Sequence, residues 1–170
     1  MTSPSRIAAL ALLAALAACQ QAATVSAAID ANTDTLCALD GMTLTDFPGP
    51  KAQVFFGNKA TPDYFCDTIE MFATWLKPEQ RKLMTALYVQ DMAHTDWRHP
   101  SGHWIAARSA FYVAGSRARG SMGPTLASFA TEPDAREFVR REGGTLYRFE
   151  QVTPDMVVLD GGVIKDRAMQ

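Results

Sequence analysis

Sulfur is the reactive chemistry this chain offers. Its 170 residues include three cysteines and eight methionines. A thiolate beside thioethers makes a soft donor set that favours monovalent copper. Zinc prefers thiolate, imidazole and carboxylate. Methionine on a helix face is usually core filler, and Met71 and Met84 lie in a stretch with helical period, so both are read as packing. Met42, Met92 and Met122 sit differently. Gly41-Met42 lies in a loop ahead of the first strand, and Asp91-Met92 ends a strand. Met122 stands in Gly120-Ser121-Met122-Gly123-Pro124, where the flanking glycines leave it little cover and free the backbone to turn. Such a thioether is well placed to reach a ligand, and the rival reading makes it a hydrophobic lid over the fold.

The thiols carry two readings. In an oxidising compartment Cys37 and Cys66 pair as a disulfide by default, and the alternative is a reduced thiol held for a metal. Cys66, at a strand–helix junction, reads as a small buried apolar residue. His94, His99 and His103 are close in sequence, but Pro100 and Gly102 prevent a helix that would align them. Their irregular spacing favours surface groups or partner contacts over a zinc site. No phosphate-binding loop, dinucleotide fingerprint or nucleophile elbow is present. With acidic residues in excess, nothing in the charge balance suggests nucleic acid, which calls for a clustered basic face.

The first residues set the compartment. Residues 1–18 carry Arg6 and an apolar run from Ile7 to Ala18, ending in Leu16-Ala17-Ala18-Cys19. Small residues directly before a cysteine mark a bacterial lipoprotein signal peptide, with the Cys19 thiol acylated after cleavage. The run is too short to span a bilayer comfortably. Its removal takes Arg6 away, so 16 basic residues become 15 against 18 acidic and the net charge moves from −2 to −3. Residues 19–35, rich in Ala, Thr, Ser and Asn, read as a lipidated flexible tether. Gln20 lacks the acidic character of an inner-membrane retention signal, which favours the outer membrane.

Two halves must position the sulfurs. Residues 36–105 read as strand Ala52–Phe56, a turn at Gly57-Asn58-Lys59, strand Tyr64–Cys66, a helix and a closing strand Leu87–Gln90. Asp67 with Glu70 resembles a capping box, and Ile69, Phe72, Ala73 and Leu76 make one apolar face. Ala93 to His103 reads as one long loop anchored by Trp97 and Trp104. Residues 106–170 repeat the order: strand Ala110–Val113, a turn-rich loop from Gly115 to Gly123 and strand Leu126–Phe129. A helix capped by Thr131 and ended by Gly143-Gly144 follows, then strand Thr145–Phe149. The predicted fold class is α+β, with two pseudo-repeated ββαβ units.

Several segments in this order carry a resemblance. They are Gly41-Met42, Phe47-Pro48-Gly49-Pro50-Lys51, Phe65-Cys66-Asp67-Thr68, Tyr88-Val89-Gln90-Asp91-Met92, Ala110-Phe111-Tyr112-Val113 and Gly120-Ser121-Met122-Gly123-Pro124-Thr125-Leu126-Ala127-Ser128-Phe129. They resemble the NosL family, lipoprotein accessory factors of nitrous-oxide reductase. The resemblance implies a copper chaperone rather than an enzyme. It implies delivery of Cu(I) to apo nitrous-oxide reductase with an ABC-type copper-centre assembly complex. It also implies paired ββαβ domains like those of organomercurial lyase. In that family a cysteine directly precedes the Gly-Met pair. Here Ala38-Leu39-Asp40 stand between Cys37 and Gly41, so the loop must fold back for Cys37 and Met42 to share a metal.

The expected ligands are therefore Cys37, Met42 and Met122, with Asp91 and Met92 as secondary ligands or rim residues, on a periplasm-facing carrier anchored through Cys19. Two rival classes are a thiol-dependent enzyme of organomercurial-lyase type and a disulfide-stabilised interaction module. Enzyme chemistry calls for a low-pKa thiolate with a basic neighbour, whereas the charges nearest Cys37 in sequence are Asp34 and Asp40.

Overall fold

The computed structural model describes residues 26–159. The signal peptide, Cys19 and the first part of the tether lie outside the described residues. Ala52-Gln53-Val54-Phe55-Phe56 forms β1 (Ala52–Phe56), buried at its first four positions. A strand this apolar must be covered on both faces and paired on both edges. It pairs antiparallel with β2 (Asp63–Phe65) on one side and with β3 (Met84–Gln90) on the other. β4 (Trp104–Ala106) adds to β3, giving the order β2-β1-β3-β4. Trp104, expected as a loop anchor, opens β4, and β3 begins at Met84 rather than at the expected Leu87. Met84 was expected on a helix, but it lies in β3, still buried, paired across a bulge with Phe56.

α1 (Thr68–Trp75) starts where expected, with the Asp67 carboxylate accepting from Ile69 N at 3.0 Å. That bond satisfies one of the free N–H groups of the first turn. Pro78 opens the short α2 (Pro78–Arg81). In the second half β5 (Phe111–Ala114) lies between β8 (Ala127–Phe129) and β9 (Thr145–Arg148) in an antiparallel sheet. α3 (Glu132–Glu142) connects β8 to β9, capped by Thr131 and closed by Gly143. The turn-rich loop holds a small hairpin, β6 (Arg119–Gly120) with β7 (Gly123–Pro124). The fold is α+β.

One core runs through both halves. Phe72 of α1 meets Tyr112 of β5 edge-on at 4.9 Å and Phe149 at 4.9 Å between ring centroids. Phe72→Ala would cost about 3–5 kcal/mol by loss of apolar contact and cavity formation. A second cluster under α3 holds Met92, Val113, Phe129 and Phe138. Hydrogen bonds also cross between halves. Thr68 Oγ1 donates to the Leu126 carbonyl at 2.6 Å, and Ser128 Oγ to the Gln90 carbonyl at 2.6 Å.

The tether differs from expectation over its described end. Ile29 exchanges two hydrogen bonds with the buried Gln53 amide, and its carbonyl also accepts from Tyr64 Oη. Tyr88 Oη donates to the Ser26 carbonyl and Trp104 Nε1 to Asp30. Polar tips along the first sheet need partners, and residues 26–35 supply them. No helix among the described residues is long and apolar enough to cross a membrane.

Candidate metal centre

Cys37 and Cys66 come from separate elements, with Cys37 bridged parallel to Tyr64 of β2. Cys37 precedes a tight loop, and Cys66 lies between β2 and α1. The Cys37 N–H donates to the Met42 carbonyl at 2.8 Å and Gly41 N to the Cys37 carbonyl at 2.9 Å. Asp40 Oδ1 accepts from Met42 N at 3.0 Å. Gly41 takes φ 74°, the left-handed region where a side chain is strained, so the loop folds back on itself there. Ala38 N donates to the Tyr64 carbonyl at 2.7 Å, which fastens the loop to β2.

The two cysteines are joined as a disulfide, with Cα atoms 5.4 Å apart. Both are buried, at 2% and 0% exposure, in a small cluster with Leu44. Met42, Phe47 and Tyr64 pack against that cluster. The expected free Cys37 thiolate is thus not the state seen, and Cys66 is not a lone apolar filler. The default pairing of the two thiols is the state seen, with Cys66 following β2 beside the Cys37 loop. The Asp40 carboxylate completes a group with both sulfurs in which every ligand atom lies within 4.8 Å of the others. Among the described residues this is the one group of three His, Cys, Asp or Glu side chains close enough to hold an ion.

Beneath the sulfurs lies a buried charged layer that sequence reading missed, because its members come from separate elements. Lys51 Nζ donates to the carbonyls of Pro48 and Cys66 at 3.0 Å each. Burial lowers its pKa to about 8, against the opposing pull of Asp67 and Glu70. Glu70 Oε2 accepts from Cys66 N at 3.0 Å. Burial pushes the Glu70 carboxyl up to about 7, and the negative charges of Asp67 and Asp40 add to that. Glu70 Oε1 is buried without a hydrogen-bond partner. Burial likewise raises the Asp67 carboxyl above the usual range, opposed by its hydrogen bonds.

Asp67 also ties in the hairpin that carries Met122. Its carboxylate accepts from Thr125 Oγ1 at 2.7 Å and from Ser121 N at 3.2 Å. Gly120 makes this possible, since a Cβ there would stand 1.9 Å from Asp67 Oδ2. Met122 is half-buried at the two-residue turn between β6 and β7. Its chain neighbour Ser121 is thereby bonded to the chain neighbour of Cys66.

The remaining expected residues fall elsewhere. Met92 is buried in the cluster under α3, with its N–H donating to the Ser128 carbonyl at 2.9 Å. This places it in core packing rather than at a rim, because the chain after β3 continues beneath α3. Asp91 is buried too, and its carboxylate meets Ala93 N and His94 Nδ1. His94 and His103 stack at 6.0 Å between ring centroids, whereas His99 lies against Asp96. The three histidines do not gather on one ion-sized point.

The same chain matches known proteins along most of its length. A NosL family model matches residues 28–157. A relative from Stutzerimonas stutzeri, described as copper-binding lipoprotein NosL, is 47% identical over 117 residues, 68% of this chain and 60% of its own. The chain thus spans less than two thirds of that relative. Another of the same description, from Achromobacter cycloclastes, is 38% identical over 153 residues, 87% of this chain and 79% of its own. The crystal structure of the copper chaperone NosL from Shewanella denitrificans superposes with a TM-score of 0.73 at 37% identity, covering 76% of this chain and 98% of that one. These relatives are described as carriers or binders of copper, not as enzymes.

Proposed function

The chain belongs to the NosL family, and from that premise we propose that it is a lipid-anchored, periplasm-facing carrier of Cu(I). The observation that carries this reading is the gathering of soft donors. Cys37, Cys66 and Met42 share one small cluster, and the hairpin bearing Met122 is bonded to the residue after Cys66. Sulfur donors select monovalent copper over harder cations. In this reading a dithiol reductant first opens the Cys37–Cys66 disulfide, giving two thiols and the oxidised reductant. Copper then displaces the thiol protons. Cys37 is the thiolate inferred from the sequence, Cys66 joins it from the structure, and Met42 and Met122 supply thioethers.

A carrier must let go of its cargo. Met42 and Met122 are half-buried on a short loop and a hairpin turn, so an acceptor can exchange ligands there first, ahead of the buried Cys37 and Cys66. The family resemblance supports the recipients: apo nitrous-oxide reductase and its ABC-type copper-centre assembly complex. Cys19 supplies the lipid anchor, on the outer membrane by the Gln20 argument. The disulfide itself favours one second reading, a stapled interaction module that handles no metal. Anaerobic competition with a Cu(I) chelator, before and after reduction, separates the two. The carrier takes up about one Cu(I) per chain after reduction, on the premise that the sulfurs form a single site. A reduced protein with two free thiols and no retained copper would leave only the module.

A further inference from the structure

The arginines of this protein divide sharply. Arg81 and Arg108 lie over the Trp75 ring and Arg148 over Phe111. Arg117, Arg136 and Arg140 pair with Glu142, Glu132 and Glu137. The other arginines among the described residues are Arg98, Arg119 and Arg141. Among the described residues none of these three meets a carboxylate within ion-pair distance or an aromatic face, and all three line one groove of about 450 Å³. Its floor is apolar: Trp97 and Phe138 stack with ring centroids 5.4 Å apart, beside Pro48. The nearby carboxylates are already engaged. Glu142 faces Arg117, and Asp96 accepts from the backbone N–H groups of Arg98 and His99 at 2.8 Å each.

Three guanidiniums without such partners among the described residues thus surround an aromatic floor on a chain of net charge −2. Guanidinium forks recognise carboxylates in two-point contacts, and aromatic floors take apolar anchors. The groove is also mechanically one piece with the metal centre. Trp97 Nε1 donates to the Arg119 carbonyl at 2.9 Å, and the Trp97 carbonyl accepts from Gly49 N at 2.8 Å. Arg119 is followed by Gly120, which sits on Asp67, and by the turn that carries Met122.

We propose that this groove is the docking surface for an acidic segment of a partner protein, one with carboxylates spaced around an apolar or aromatic anchor. Resting on the carrier reading above, the partner is the copper acceptor, seated so that its own ligands face the Met122 turn. Complementary charge of this kind raises the encounter rate and falls off with salt.

The test uses the full mature chain and a labelled peptide of alternating glutamate with leucine and phenylalanine, followed by fluorescence anisotropy. The wild type binds it, and binding weakens between low and physiological salt. Replacing the peptide's glutamates by glutamine weakens binding at least tenfold. So does the combined variant Arg98→Glu, Arg119→Glu, Arg141→Glu. The equal charge change at Lys59→Glu, Lys77→Glu, Lys82→Glu leaves it within about twofold. Cu(I) affinity measured on the groove variant stays at the wild-type value. Peptide binding that ignores the groove variant overturns the proposal. So does loss of binding only to phosphatidylglycerol vesicles, which would make this face a membrane contact. Failure of the wild type to hold copper, with peptide binding intact, would instead remove the carrier reading and leave the groove standing.

Discussion

Gly120→Ala would put a methyl carbon where the Asp67 carboxylate already lies. The added Cβ would stand 1.9 Å from Asp67 Oδ2, 2.8 Å from Thr125 Cβ and 3.0 Å from Thr125 Oγ1. Asp67 cannot retreat, because the same carboxylate caps α1 through Ile69 N. The β6–β7 hairpin must therefore lift, breaking the Ser121 and Thr125 contacts to Asp67. Each of the two lost bonds to a buried carboxyl costs about 1–3 kcal/mol, so the total is roughly 2–6 kcal/mol. For a domain of this size 1 kcal/mol shifts Tm by about 3–4 °C, giving a fall of roughly 6–24 °C. Gly115→Ala is the control: it has positive φ but open space around the new Cβ, and should cost only about 1 kcal/mol. Because the lifted hairpin takes Met122 with it, Cu(I) affinity of the reduced variant should also drop at least tenfold. Calorimetry and chelator competition measure the two effects. If Gly120→Ala melts within 2 °C of Gly115→Ala, roughly half of 1 kcal/mol, the hairpin is not anchored through Asp67 as described.

Other consequences are equally direct. Cys66→Ser removes a cross-link between residues 29 apart and should lower stability by about 3–4 kcal/mol in denaturant titration; a loss below about 1 kcal/mol would mean the bond does not persist in solution. Met122→Leu keeps volume and should leave the metal-free melting temperature nearly unmoved, while weakening Cu(I) binding tenfold or more, roughly 1.4 kcal/mol. Met71→Leu, buried in α1, is the comparison that should leave copper affinity unchanged. In the oxidised, metal-free protein Glu70 keeps its proton up to about 7, against 4.5 when unfolded. The native state therefore binds more protons in that window, and stability contributed by Glu70 is lost as pH rises from about 4.5 to about 7. Lys51, with a native pKa of about 8, stays largely protonated there. Glu70→Gln should flatten the slope of unfolding free energy against pH, and an unchanged slope would show that Glu70 is already ionised.

Local chemistry was readable from the residues. The caps at Asp67 and Thr131 and the stop at Gly143 announce themselves by side-chain hydrogen bonding and backbone freedom, so α1 and α3 start and α3 ends as expected. The run of β1, apolar but for Gln53, is equally plain. What could not be read is pairing over distance. Met84 has helical neighbours, yet a strand partner in β1 claims it. Residues 26–35 have no apolar period, yet hydrogen bonds to Gln53, Tyr64 and Tyr88 hold them. The Cys37–Cys66 disulfide was open to reading as the default pairing of the two thiols, but the Lys51, Asp67 and Glu70 layer gathers groups from just before β1 and from the start of α1. Met92 looked like a loop end, but tertiary packing under α3 decided its role.

The most direct test is copper X-ray absorption on the anaerobically reduced mature chain loaded with one equivalent of Cu(I). The copper should be surrounded mainly by sulfur, with one sulfur fewer in Cys37→Ser, Cys66→Ser and Met122→Leu, and almost no copper should stay on the oxidised protein. A shell dominated by nitrogen that disappears on removing His94, His99 and His103, or equal copper uptake with the Cys37–Cys66 disulfide intact, would contradict this expectation.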